Sequence, residues 1–151
     1  LADGALLARA ARLLGRPYSM RGRVRRGAQL GRKLGFPTVN VATHRRRVPL
    51  SGIFAVRVHA DDARGAALVA WPAVASLGTR PTVHGVEPLL EAFLFDFDGD
   101  LYGREIEVEF VARLRDEMKF GSVDELKENI ARDIEQTRAW FSSAPDSIRT
   151  L

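Results

Sequence analysis

From Tyr18 onward the chain alternates apolar and polar positions in short runs, broken by Gly, Pro and Asp. A period of two is the signature of half-buried strands. Ser51 to His59, with its run of Ile53, Phe54, Val56 and Val58, is a clear strand, and Asp61-Asp62 with Gly65 reads as the turn after it. Tyr18 to Arg26 and Thr38 to Ala42 read as two earlier strands. Ala66 to Ala70 and Ala73 to Leu77 read as a return strand interrupted at Trp71-Pro72, with Gly78 to Thr82 as a loop. Leu89 to Phe95 and Glu105 to Leu114 complete the set, separated by an acidic hairpin turn over Asp96 to Asp100. Short strands with turn signals and little helix between them predict a mainly β protein, an antiparallel closed barrel.

The pattern switches to a helical period at each end. Ala5 to Leu14 is an amphipathic helix stopped by Gly15-Arg16-Pro17. Ser122 with Glu125 three residues later is a capping box. It opens a stripe of Val123, Leu126, Ile130, Ile134 and Thr137 that runs to Trp140 or Phe141. This C-terminal helix is expected to pack its stripe on the barrel, with 142–151 as a frayed tail.

One stretch carries most of the candidate chemistry. Gly27, Gly31 and Gly35 fall four apart, and Phe36-Pro37 follows. Glycine and proline argue against a helix there and for a loop of bare backbone amides, a shape that cradles phosphate. Spacing alone favours a plain tight surface loop over such a cradle. Thr38 and Asn40 follow in a β-prone segment, so a hydroxyl and an amide oxygen share a face. Both are hard ligands suited to Mg²⁺ beside a nucleotide. The loop is not a Walker A sequence, because no Gly-Lys-Ser/Thr opens a helix.

Charge sharpens this picture. The net charge of +4 is unevenly spread: residues 1–47 carry a balance of +11 and residues 86–135 one of −9. The basic half holds the glycine loop, which suits a polyanionic ligand. Nucleic acid is the competing polyanion, but aromatics are not interleaved with the arginines, and Arg45-Arg46-Arg47 reads as a solvated loop. The chain has 151 residues, enough for one domain with a proper core, and no cysteine, so disulfides and thiolate metal sites are excluded. The composition fits a cytoplasmic protein. No apolar run reaches membrane-spanning length, and no signal peptide is visible. His44, His59 and His84 lack metal-ligand spacing, and Asp96, Asp98 and Asp100 lack the closing Glu of a calcium loop.

Phosphoryl transfer to an alcohol also needs a group to take the hydroxyl proton. Glu91 is the only acid inside an apolar strand, and its alternation partners Leu89, Phe93 and Phe95 are all apolar. A general base on that face and an edge-strand glutamate reaching solvent are equally good readings of the residue alone.

Four blocks in order resemble the riboflavin kinase family: Gly31 to Asn40, Gly78-Thr79-Arg80-Pro81-Thr82, Glu91 with Phe95 to Gly103, and Leu114 to Phe120. They cover about Gly15 to Arg138. The resemblance implies a six-stranded antiparallel closed barrel with a C-terminal helix, transferring the ATP γ-phosphate to the 5′-hydroxyl of riboflavin to give FMN and ADP. It implies Glu91 as the catalytic base and Thr38 and Asn40 as metal ligands. The implied nucleotide set is Gly22, Gly27, Gly31, Lys33, Gly35, Pro37, Thr38, Asn40 and Tyr102. Arg115, Met118 and Phe120 are implied on the flavin, although alone Arg115 reads as a surface ion pair and the other two as core packing. Two departures stand out: Val39 where the family usually has Ala, and Ser76 where Asn is common. In bacteria such a module usually follows an FMN adenylyltransferase domain that makes FAD. No residue here resembles that domain. No initiator Met opens the chain, so 1–14 is expected to be a linker helix from such a domain, 15–141 the kinase domain and 142–151 a tail. The expected partners are small molecules and that covalent neighbour, with neither nucleic acid nor membrane.

Overall fold

The strands close on themselves because each one has an apolar face to bury, and β3 is buried on both. A computed structural model describes residues 18–25, 38–43, 50–61, 67–83, 85–97, 99–117 and 121–143. The elements are β1 (Ser19–Arg25), β2 (Val39–Thr43), β3 (Gly52–Ala60), β4 (Leu68–Thr82), β5 (Gly85–Leu94), β6 (Glu105–Arg115) and α1 (Val123–Ser143). The six strands form a closed barrel in the order β1-β2-β5-β4-β3-β6, every neighbouring pair antiparallel. The expected barrel and C-terminal helix are therefore present. The expected helix at 5–14 and residues 144–151 of the expected tail lie outside the described residues, while Ser142 and Ser143, expected in that tail, are the last residues of α1.

Alternation explains the interior. Met20, Val24, Val41, Phe54, Val56, Val58, Ala73, Ala75, Leu77, Leu90, Ala92, Ile106, Val108 and Phe110 point inward and form the main core. A small barrel is filled by such side chains, and Phe54 meets Phe110 edge-on at 5.1 Å. Gly22 belongs to the inward set, and a Cβ there would collide with the Ala42 carbonyl oxygen. Strands β1 and β2 approach too closely for any other residue, which is a packing reason for this glycine.

The return strand differs from its sequence reading. Trp71-Pro72 does not interrupt it, and Gly78 to Thr82 is not a loop: β4 runs unbroken through all 15 residues. Proline is tolerated because the Pro72 carbonyl accepts a hydrogen bond from Phe95 N–H at 3.1 Å, just past the last β5 residue. In a strand, N–H and C=O of one residue point the same way, so the missing donor falls where the ladder has already ended. Residues 78–82 pair with 85–89, while β3 and β2 pair only as far as Leu77 and Leu90. The β4–β5 hairpin thus projects beyond the barrel as a two-stranded ribbon.

Helix α1 covers part of the outer face. Ile134 and Phe141 pack on Ile53, Val74 and Phe95. The stripe begins later than the sequence implied, since Val123 is exposed, and the buried seam includes Asp133 and Thr137. Arg115 on β6 grips Asp133 with two hydrogen bonds of 2.8 and 2.7 Å. Farther along, the Arg138 guanidinium lies 4.6 Å over the Phe95 ring and pairs with Asp96 at 3.1 Å. That pairing holds the Asp96 carboxyl below the usual carboxylate range. Its small contribution is present at neutral pH and fades as the pH falls through the lowered value.

The capping box forms with one change. Glu125 N–H donates to Ser122 Oγ at 3.2 Å, but the Glu125 carboxylate accepts from Gly121 N–H, one residue before the cap. Ser122→Ala is expected to destabilise the domain by about 1 kcal/mol, a few degrees in thermal midpoint. An unchanged midpoint would show that the cap is idle.

Candidate active site

The strand register brings the predicted site residues together. Asn40 on β2 stands directly opposite Glu91 on β5, although they are 51 positions apart in sequence. The same rung continues to Arg25 on β1 and to Ser76 on β4. All four are on the outer face, since Val24, Val41, Leu90, Ala75 and Leu77 between them point inward. Asn40, Glu91 and Ser76 are half-buried, and Arg25 is exposed. Val39 packs inward on the core, so Thr38, one residue before β2, alternates back to the side of Asn40. Thr38 is exposed.

Glu91 shares the outer face of β5 with Leu89 and Phe93, both half-buried. Phe95, by contrast, is covered by α1. Glu91 is therefore at the margin of an apolar surface, with polar neighbours, Asn40 and Ser76, across both flanking strands.

A second group of predicted residues meets this end of the barrel. Val24 N–H donates to the Arg104 carbonyl at 2.8 Å, and Gly103 N–H to the Val24 carbonyl at 2.9 Å. The turn carrying Tyr102 is thereby tied to β1 one residue from Arg25. Arg23 reinforces it with a bond to the Gly103 carbonyl at 2.6 Å, and Tyr102 N–H is held by Asp100 at 2.8 Å. The Tyr102 ring is exposed. An exposed aromatic beside two arginines and the Asn40 rung can receive a nucleotide.

Of the flavin set, Arg115 is described. Besides its grip on Asp133, it donates from Nη1 to the Asp116 carbonyl at 2.9 Å. Arg113 pairs with Asp116, whose carboxyl is held below the usual carboxylate range by that guanidinium. These contacts fix the point at which the chain leaves β6. Gly27, Gly31, Lys33, Gly35, Pro37, Met118 and Phe120 lie outside the described residues.

Sequence reasoning missed two side chains. Asp133, on the helix, holds Arg115. Glu117 drew no separate role within the Leu114 to Phe120 block. It reaches back to β4, where Ser76 Oγ–H donates to its Oε1 at 3.2 Å. Neither had a local signal. A cavity of about 390 Å³ also opens between Trp71, Pro72, Phe95 and the end of α1, and it contains none of the predicted site residues.

The family model for riboflavin kinase matches residues 14–141. The chain belongs to the riboflavin kinase family. Its relatives include the bifunctional riboflavin kinase/FMN adenylyltransferases of Haemophilus influenzae, 44% identical over 131 residues, and of Escherichia coli K12, 46% identical over 135 residues. Those alignments cover 87% and 89% of this chain but only 41% and 42% of the relatives. The chain thus spans about two fifths of the length of these bifunctional relatives. Among solved structures, one named as a macrolide-efflux protein from Streptococcus pneumoniae superposes with a TM-score of 0.77 at 37% identity, over 91% of this chain and 43% of that one. A riboflavin kinase from Trypanosoma brucei shares the fold, with a TM-score of 0.57 at 22% identity, over 83% of this chain and 80% of that one. Among the described residues no helix is long and apolar enough to cross a membrane.

Proposed function

We propose that this chain transfers the γ-phosphate of ATP to the terminal hydroxyl of riboflavin, giving FMN and ADP. The observation that carries the reading is the shared rung of Asn40 and Glu91 at the end of the barrel where β1 and the Tyr102 turn also meet. Glu91 accepts the proton of the terminal ribityl hydroxyl. The oxygen so activated attacks the γ-phosphorus, the bond to the β–γ bridging oxygen breaks, and ADP leaves with that electron pair. Arg25 adds positive charge on the nucleotide side of the rung. Arg115, clamped by Asp133, holds the base of the segment bearing Met118 and Phe120, the proposed flavin contacts. The glycines at 27, 31 and 35, with Lys33 and Pro37, are proposed to line the phosphates.

A divalent cation fits the donor set. Thr38 offers a hydroxyl and Asn40 an amide oxygen on one side of β2, both suited to Mg²⁺ and both next to the carboxylate rung. When bound there, Mg²⁺ supplies charge neutralisation for the phosphates. Thr38→Ala is expected to raise the Mg²⁺ concentration needed for half-maximal rate severalfold. An unchanged Mg²⁺ dependence would remove Thr38 from that role.

The direct test is incubation with riboflavin and Mg-ATP, followed by separation of flavins and nucleotides. FMN and ADP in equal amounts support the reading. Riboflavin binding without ADP release would make the barrel a flavin carrier instead. The lengths of the relatives further suggest that 1–14 links to an adenylyltransferase domain, so that the whole protein also makes FAD. A cytoplasmic location goes with this reading, because ATP is the phosphoryl donor.

A further inference from the structure

Among the described residues, Glu117 is an acidic side chain that crosses from the end of β6 to the rung of the proposed base. It follows β6 (Glu105–Arg115) by two residues and is exposed. Its carboxylate accepts the Ser76 hydroxyl proton at 3.2 Å and occupies the space over Gly78, where an added Cβ would collide with both carboxylate oxygens. Ser76 is the direct register partner of Glu91, on the side away from Asn40. The order across the outer face is therefore Arg25, Asn40, Glu91 and then Ser76 with Glu117.

The two flanks of Glu91 differ in chemistry. Asn40, Thr38 and the arginines make the nucleotide flank. The other flank offers a hydroxyl and a second carboxylate, a poor surface for phosphate and a good one for alcohol donors. Neighbouring strands are about 4.8 Å apart, a separation that a flexible chain bearing hydroxyls on successive carbons can span. We infer that Glu117 accepts a hydrogen bond from a ribityl hydroxyl behind the reacting one, and that Ser76 positions Glu117 to do so. The pair would set the register of the sugar-alcohol chain against Glu91 and favour a polyol over a plain alkyl chain. A site built to accept hydroxyl donors discriminates against a substrate lacking them, because its own polar groups are then left unpaired.

This inference rests on the kinase reading, and the test separates the two. Riboflavin is compared with a flavin whose ring carries an unbranched 5-hydroxypentyl chain, with kcat and KM measured for each. In the unaltered chain, riboflavin is expected to be the better substrate. Glu117→Ala should lower kcat/KM for riboflavin by about tenfold or more, and leave the hydroxypentyl analogue within about twofold. Glu117→Gln, which keeps an acceptor oxygen, should recover part of the loss. Gly78→Ala should act in the same direction as Glu117→Ala, because the new methyl displaces the flexible end of Glu117 without disturbing backbone. Ser76→Ala should give a smaller loss of the same selectivity. Equal losses on both flavins would make Glu117 a structural anchor for its segment and overturn the inference, as would no loss on either. An unaltered chain that makes no FMN would overturn the kinase reading itself, and this inference with it.

Discussion

Replacing Glu91 by Gln is expected to lower kcat by about 10²- to 10⁴-fold while riboflavin and nucleotide still bind. The amide has the shape of the carboxylate and keeps one acceptor oxygen, so the rung of Asn40, residue 91 and Ser76 can persist. What it cannot do is hold the hydroxyl proton as the oxygen–phosphorus bond forms. The loss should therefore fall on kcat with little change in KM, the mark of an interaction made in the transition state. Single-turnover formation of FMN measures the step, and quenching of flavin fluorescence measures binding. A variant within about twofold of the unaltered rate would remove Glu91 from the base role, whatever its position in the barrel.

The second large effect concerns stability, away from the site. Arg57 and Glu109 are opposite one another on β3 and β6, only 2% and 8% exposed, and face the seam under α1. Their contact is 3.4 Å, the second Arg57 Nη has no hydrogen-bond partner among the described residues, and the guanidinium is 5.7 Å from the Phe141 ring. His59 approaches the other Glu109 oxygen at 3.4 Å, while its Nδ1 accepts from Ala70 N–H at 3.1 Å. Glu109→Leu leaves the Arg57 charge buried and uncompensated, and is expected to cost about 3–5 kcal/mol. Arg57→Met with Glu109→Leu removes both charges and the unpartnered donor, and is expected to be near neutral or stabilising. Urea unfolding of the three proteins measures this. A mild Glu109→Leu combined with a costly double variant would reverse the argument. In either event kinase turnover should follow the folded fraction, because neither residue is on the Asn40–Glu91 rung.

Local signals explain how much of the fold was readable. Period-two alternation located β1 and β6 to within one or two residues, because a strand with one buried face must alternate, and β-prone runs located β2 and β3 as closely. The Ser122 and Glu125 pairing marked the start of α1. The same local rules misjudged β4. Pro72 and the Gly78 to Thr82 cluster carry turn residues, but Pro72 falls where a donor is not needed and the cluster is one arm of a projecting ribbon. Whether a proline breaks a strand depends on which neighbour its missing N–H would face, and that is a property of the sheet.

The candidate site divides along the same line. Residue chemistry was enough to single out Thr38, Asn40 and Glu91: a hydroxyl and an amide on one strand face, and a lone carboxylate in an apolar run. The chain alone also determined its class, since alternation and the lack of helical periods between the strands leave an antiparallel barrel as the economical way to bury the apolar strand faces. Tertiary structure decided the rest. Only closure of the barrel, with its particular register, puts Asn40 opposite Glu91 and Ser76 on the far flank. Only the packing of α1 turns Arg115 and Asp133 into a clamp, and only the exit of the chain from β6 carries Glu117 to Ser76. These contacts join residues tens of positions apart, and their pairing is set by how strands stagger around a closed sheet, a quantity that no local stretch of sequence contains.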